Sequence, residues 1–260
     1  MREKLTRLSE ELRANAPLAI AYSGGVDSAC LLALAHRELG AQALGVIADS
    51  PSLPRRALAE ALAAAEGFGA KVEVVRTREF ENPDYAANPL NRCYFCKAEL
   101  FQRMDALARE RGFRAIAYGE NADDPAGSRP GSLAAREFRV LAPLKTAGLG
   151  KAEVRTLARE LGLRAADAPS QPCLSSRVAT GVPVTPPVLS QIEQAEEILR
   201  GRGFRILRVR FLEGGAARIQ VGPEELARLF RTRAEVLAAL EPVGFSRLEL
   251  DPQGYRGVIA

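Results

Sequence analysis

The sequence predicts an α/β protein: a parallel sheet with helices on both faces, followed by a small C-terminal α+β domain. Three observations predict it. Apolar runs of strand length alternate with amphipathic stretches of helix length through the first two-thirds of the 260 residues, the pattern of repeated βα units. A glycine pair, Gly24-Gly25, breaks the first strand–helix junction. After Cys173 the order becomes helix, two strands, helix, strand, which suits a separate small domain. The expected domains are 1–178 and 186–260, with Thr180-Gly-Val-Pro-Val-Thr-Pro-Pro as linker.

The strands are expected at 17–22, 43–48, 71–76 and 114–118, and the helices between them near 28–39, 54–67 and 95–111, with another over 151–161. Gly40, Gly69 and Gly112 fall just past helix ends, where a left-handed residue commonly terminates the helix. In the C-terminal part the pattern predicts a helix over 188–200 and two strands around Glu213-Gly-Gly. A helix over 224–240 and a strand over 245–250 follow. Neither solenoid repeats nor low-complexity tracts interrupt the chain.

Composition narrows the function. Apolar residues are 47% and charged residues 26%, ordinary for a globular protein. No apolar run approaches the length of a membrane span. The charged, amphipathic start lacks the apolar core of a signal peptide, so a cytoplasmic protein is expected. The net charge of +4 favours anionic ligands. Aromatics are only 6% with no Trp, which disfavours a base-stacking nucleic-acid surface. The single histidine, His36, leaves no material for a multi-histidine metal site or a Ser–His–Asp triad.

The first junction carries the most chemistry. Leu18-Ala-Ile-Ala-Tyr-Ser-Gly-Gly-Val-Asp-Ser28 reads as strand, glycine turn, helix start. Free N–H groups and the dipole at a helix N-terminus make an anion site, and Gly24 and Gly25 let backbone approach a phosphate. Ser23 and Ser28 add hydroxyls. No lysine follows the glycines, so this is not the loop that serves γ-phosphate transfer. Asp27 places a carboxylate where Mg²⁺ bound to phosphates would lie. At the ends of later strands, Asp49-Ser50 and Gly119-Glu-Asn-Ala-Asp-Asp124 face the same sheet edge. Asp49 and Ser50 suit adenosine contacts or a simple turn. Asp123 and Asp124 suit either Mg²⁺ or an Asx-rich turn.

Cys30 lies in an apolar helix and reads as a core thiol. Cys93 and Cys96 form a C-x-x-C, and Cys173 lies in Pro-Cys-Leu-Ser-Ser-Arg177. The pair can be redox-active, metal-binding or coincidental. Three thiolates without histidine do not complete a tetrahedral zinc site, but suit a [4Fe–4S] cluster with one open iron. Arg129 and Arg136 occupy a long loop, and Arg208 and Arg210 share one strand face. All four are solvated cations or ligands for an anionic substrate, and Ser176 and Arg177 stand beside Cys173 for the same task.

Taken together, Ser23-Gly-Gly-Val-Asp-Ser28, Arg92-Cys-Tyr-Phe-Cys-Lys97, Gly119-Glu-Asn-Ala-Asp-Asp124, Arg129-Pro-Gly131, Pro172-Cys-Leu-Ser-Ser-Arg177 and Arg208-Val-Arg-Phe211 make the chain resemble the LarE-type ATP-dependent sulfur transferases. These are PP-loop ATP pyrophosphatases of Rossmann-like fold, and the resemblance runs nearly end to end. It implies adenylylation of a carboxylate of pyridinium biscarboxylic acid mononucleotide by ATP and Mg²⁺, then replacement of oxygen by sulfur, in nickel-pincer nucleotide cofactor synthesis. It implies ATP contacts from Ser23, Gly24, Gly25, Asp27, Ser28, Asp49, Ser50 and Gly119. Catalytic roles fall to Asp27, Cys93, Cys96 and Cys173, and substrate contacts to Arg129, Arg136, Ser176, Arg177, Arg208 and Arg210. In the three-cysteine form the thiolates carry a [4Fe–4S] cluster, whereas other members sacrifice the sulfur of a cysteine. A small nucleotide substrate and a homo-oligomer are expected. Gln220 departs from the pattern, where Glu is expected. A tRNA-thiolating enzyme would share the glycine turn but would want a broad basic surface and more cysteines. An amide-forming relative would not need Cys93, Cys96 and Cys173.

Overall fold

The computed structural model describes residues 1–125, 130–168 and 172–255. In chain order the elements are α1 (Arg2–Ala14), β1 (Leu18–Ala21), α2 (Val26–Leu39), β2 (Ala43–Asp49), α3 (Arg55–Gly67), β3 (Val72–Arg76), α4 (Pro83–Ala86), α5 (Arg92–Arg111) and β4 (Ala115–Tyr118). They continue as α6 (Pro130–Glu137), α7 (Pro143–Thr146), α8 (Lys151–Glu160), α9 (Pro186–Gly201), β5 (Leu207–Phe211), β6 (Ala216–Val221), α10 (Leu226–Arg231), α11 (Arg233–Leu240) and β7 (Arg247–Leu250). The chain divides into two units. One comprises 1–50, 55–79 and 91–168; the other comprises 51–54, 80–90 and 169–260.

The first unit is built on a parallel sheet in the order β3-β2-β1-β4. Leu18, Ala19 and Ile20 are all buried, because a parallel strand is covered on both faces. Ala19, Val46, Ile116 and Tyr118 pack with Phe101, Met104 and Leu107 of α5 and with Ala134 and Ala135 of α6. Gly45 faces the other way, where an added Cβ would lie 2.8 Å from Leu32 of α2. Right-handed crossovers explain the layering: the chain winds from β1 to β3 over one face, then returns to β4 over the other. This α/β architecture, Rossmann-like in strand order, is the one expected. The reversal between β1 and β4 is the switch point at which such sheets bind ligands.

The second unit holds a small sheet in the order β5-β6-β7, antiparallel between β5 and β6 and parallel between β6 and β7. Leu189, Ile192, Ala195 and Leu199 form the buried stripe of α9, and Thr185 caps that helix by accepting the Val188 N–H. The expected helix over 224–240 is two helices, because Thr232 leaves helical geometry between α10 and α11. Two distant pieces join this unit. Leu174 N donates to the Ser52 carbonyl at 2.8 Å. Asn88 is fully buried with φ +57°, and its amide donates to the Ala179 and Val182 carbonyls at 2.8 and 2.9 Å.

Candidate active site

The glycine turn sits at the switch point of the first unit. Gly24 has φ +76°, and an added Cβ would lie 2.8 Å from the Ala61 Cβ, so only glycine fits. Gly25 is the N-cap of α2. Ser28 is buried, and its hydroxyl locks the turn: it accepts from Ser23 N at 3.1 Å, donates to the Gly25 carbonyl at 3.0 Å and lies 3.1 Å from the Ser23 hydroxyl. The residues expected to hold phosphate thus lie together at one helix start. Gly119 ends β4 against that same start. A Cβ there would meet Ser28 N at 2.7 Å and the Asp27 carbonyl carbon at 2.8 Å.

An open depression of about 540 Å³ lies here, lined among others by Ser23, Gly25, Asp27, Ser28, Lys97, Phe101, Tyr118 and Gly119. Two lysines bring positive charge to it. Lys151, the first residue of α8, pairs with Asp27 at 2.7 Å. Lys97 reaches from α5 to lie 4.6 Å from the Tyr118 ring centre. Burial pushes the Lys97 ammonium below its ordinary range, opposed by Glu120, Cys93, Cys96 and Asp124 nearby. Beneath it Glu120 is buried and accepts from Tyr118, from Ser132 at 3.0 Å and from Lys145 at 3.0 Å. Burial alone would raise this carboxyl, but the three hydrogen bonds together hold it below its ordinary range.

The remaining acidic residues have local partners. Asp123 accepts from Lys151 N at 2.6 Å and donates its own N–H to Asn121 Oδ1. Asp124 accepts from Asn121 N at 3.1 Å. Asp49 pairs with Arg55 at 2.5 Å, and Arg55 donates to the Ser50 carbonyl at 2.8 Å. Among the described residues no group of three His, Cys, Asp or Glu side chains is gathered as a metal centre. Asp123 and Asp124, expected as Mg²⁺ ligands, are instead engaged by the Lys151 and Asn121 backbone N–H groups.

Cys93 and Cys96 lie in the first turn of α5, three residues apart and so on one helix face. Cys93 is exposed and Cys96 partly so. Arg136 is exposed on α6, and Arg129 lies outside the described residues. Cys30 is fully buried, and burial pushes its thiol up to about 12, which leaves it inert.

Cys173 belongs to the second unit and is partly exposed. Its backbone is gripped by Arg177, which is buried and donates to the Cys173 carbonyl at 2.9 Å and to the Pro172 carbonyl. The same guanidinium forks onto Glu196, at 3.0 and 3.2 Å. Glu196 also takes Arg200 at 3.0 Å and Val209 N at 3.2 Å. Ser176 donates to the Cys173 carbonyl at 2.7 Å. Arg177 and Ser176 are thus committed to shaping the cysteine loop. Arg208 and Arg210 do share one face of β5, opposite Gln220 and Arg218 of β6. Gln220 accepts from Arg210 at 2.9 Å and donates to Asp251 at 2.6 Å.

Lys97, Lys151, Glu120 and Glu196 were not singled out from the sequence. Two carried a signal. Lysine at the first position of a helix opposes the dipole preference, and Glu196 interrupts the apolar stripe Leu189, Ile192, Leu199.

A parallel sheet with a lysine-free glycine turn at its switch point, two lysines facing that turn, and a buttressed cysteine loop define an α/β nucleotide-dependent enzyme. No family model matches the chain. The pyridinium-3,5-bisthiocarboxylic acid mononucleotide synthase of Lactiplantibacillus plantarum is 30% identical over 240 residues, covering 92% of this chain and 87% of that enzyme. An uncharacterized protein of Synechocystis is 41% identical over 239 residues, 91% of this chain and 89% of that protein. Another, from Methanocaldococcus jannaschii, is 26% identical over 257 residues, 98% of each. The chain belongs to the family of that synthase, the LarE-type sulfur transferases.

Proposed function

We propose that this protein adenylylates a carboxylate of pyridinium biscarboxylic acid mononucleotide with ATP and then replaces one of its oxygens by sulfur, in nickel-pincer nucleotide cofactor synthesis. The observation that carries the reading is the glycine turn at the β1–β4 switch point, faced by Lys97 and Lys151. That geometry suits a nucleotide triphosphate without the lysine that serves γ-transfer. ATP arrives as its Mg²⁺ complex, the cation neutralising charge on the phosphates.

A substrate carboxylate oxygen attacks the α-phosphorus. The bond from that phosphorus to the bridging oxygen breaks, and pyrophosphate leaves with the electron pair. The N–H groups at the start of α2, with Ser23, Ser28 and the two lysines, stabilise the developing charge. Asp27 holds Lys151 in place for this. Asp49, Ser50 and Gly119 border the adenosine. A sulfur nucleophile then attacks the acyl carbon and AMP leaves with its electron pair. Cys173 is the residue we assign to sulfur delivery. Its thiolate forms the thioester, loss of its Cα proton then breaks the Cβ–Sγ bond, and the thiocarboxylate leaves behind a dehydroalanine. Cys93 and Cys96 are further sulfur-handling thiols. Arg208 and Arg210 take the substrate's anionic groups, with Arg136 of α6 and Arg129 as further cations for it. The protein works in the cytoplasm as a homo-oligomer on a small nucleotide. Among the described residues no helix is long and apolar enough to cross a membrane.

Mass spectrometry of the pyridinium nucleotide after incubation with ATP, Mg²⁺ and anaerobically purified protein tests the reading. A product carrying sulfur in place of oxygen is expected. Unchanged substrate beside thiolated tRNA in a parallel reaction would overturn it. Iron content, and the mass of the Cys173 peptide after turnover, identify the sulfur source.

A further inference from the structure

Arg208 is a charge that no described residue neutralises by an ion pair. The residue is 6% exposed. Glu196 of α9, whose charge reaches Arg208, is taken by Arg177, Arg200 and Val209 N. Its cross-strand neighbour Gln220 is uncharged and spends its oxygen on Arg210. Among the described residues Arg208 has no ion pair. What it has is an aromatic ring: its guanidinium carbon lies 4.5 Å from the ring centre of Tyr255. A buried cation without a counter-ion is costly. Burial, together with Arg177 and Arg210, lowers the guanidinium's proton affinity.

Tyr255 is placed there by its backbone. Its N–H donates to the Val221 carbonyl at 2.7 Å. Gly254 before it has φ +69°, and an added Cβ would stand 2.8 Å from that same carbonyl oxygen, so only glycine allows the chain to turn the ring over Arg208. A ring face stabilises a guanidinium without consuming its N–H donors as a carboxylate would.

We propose that Tyr255 is a positioning residue that holds Arg208 unneutralised, with its donors free for a phosphate group of the substrate. This rests on the reading of Arg208 as an anion-binding residue. The test is titration of the intact protein with inorganic phosphate, the glycine turn being filled by a non-cleavable ATP analogue. KM and kcat for the pyridinium nucleotide are measured alongside. Tyr255→Leu should weaken phosphate binding and raise this KM roughly tenfold, with kcat and the KM for ATP unchanged. Tyr255→Phe, which keeps the ring, should behave as wild type. Gly254→Ala, which displaces the ring without removing it, should reproduce the loss. Wild-type phosphate affinity in both Tyr255→Leu and Gly254→Ala would overturn the proposal. If Arg208→Ala abolishes phosphate binding while those two do not, Tyr255 alone is refuted. If Arg208→Ala also binds phosphate normally, the anion-site reading falls with it.

Discussion

Gly119→Ala tests how closely the end of β4 is fitted to the glycine turn. The new methyl carbon would lie 2.7 Å from Ser28 N, 2.8 Å from the Asp27 carbonyl carbon and 2.9 Å from Ser28 Cα. All three are backbone atoms, so no side chain can swing aside. Ordinary contact is about 3.5–4.0 Å, so the start of α2 must retreat by roughly 1 Å. Such overpacking costs about 1–3 kcal/mol, which lowers the melting temperature by about 2–10 °C. The functional loss should be larger. Ser28 ties Ser23 N and the Gly25 carbonyl together, so its displacement carries with it the N–H groups proposed to bind phosphate. Misplacement by about 1 Å can cost about a hundredfold in rate. Thermal unfolding and pyrophosphate release, measured on the same preparation, read the two effects separately. Gly67→Ala is the control, since an added Cβ there meets nothing within 4 Å. A Gly119→Ala protein with wild-type melting and wild-type turnover would mean that the end of β4 does not set the position of the glycine turn.

Other perturbations address single links. Arg177→Met should destabilise by about 3 kcal/mol, because it strands the buried Glu196 carboxylate with Arg200 and Val209 N as its remaining partners; urea unfolding measures it, and an unchanged midpoint counts against the buttress. Asp27→Ala should retain the fold by circular dichroism yet lose turnover, because it frees Lys151 from its 2.7 Å pairing. Cys173→Ser should still release pyrophosphate but yield no sulfur-containing product by mass spectrometry. Glu120 titrates below its ordinary value in the folded protein. Its contribution is therefore present above the unfolded-state value, near 4.5, and is lost as pH falls through the folded one. Glu120→Gln should accordingly flatten the acid limb of stability against pH; an acid limb as steep as wild type would contradict this.

The sheet was legible because its strands are short apolar runs between glycine-terminated helices. Gly112, for example, is the left-handed cap of α5. The glycine turn was legible because Gly24 and Gly25 have no structural competitor at that junction. Long-range partners were not legible. Nothing local joins Lys151 to Asp27, or Tyr255 to Arg208, and residues 51–54 and 80–90 gave no sign of joining the C-terminal unit. The helix α5 begins at Arg92 rather than 95, because apolar periodicity marks a helix interior better than its first turn. That shift is what places Cys93 on the same helix as Cys96. Arg177 read as a substrate ligand beside Cys173 because its buried partner Glu196 lies nineteen residues on, in a helix otherwise amphipathic.

The proposed sulfur insertion begins with cleavage of ATP between its α- and β-phosphates at the glycine turn. Phosphorus NMR of ATP incubated with the protein, Mg²⁺ and the pyridinium nucleotide tests it most directly. AMP and pyrophosphate are expected, formed only with the carboxylate substrate present. ADP and inorganic phosphate as the main products would contradict it.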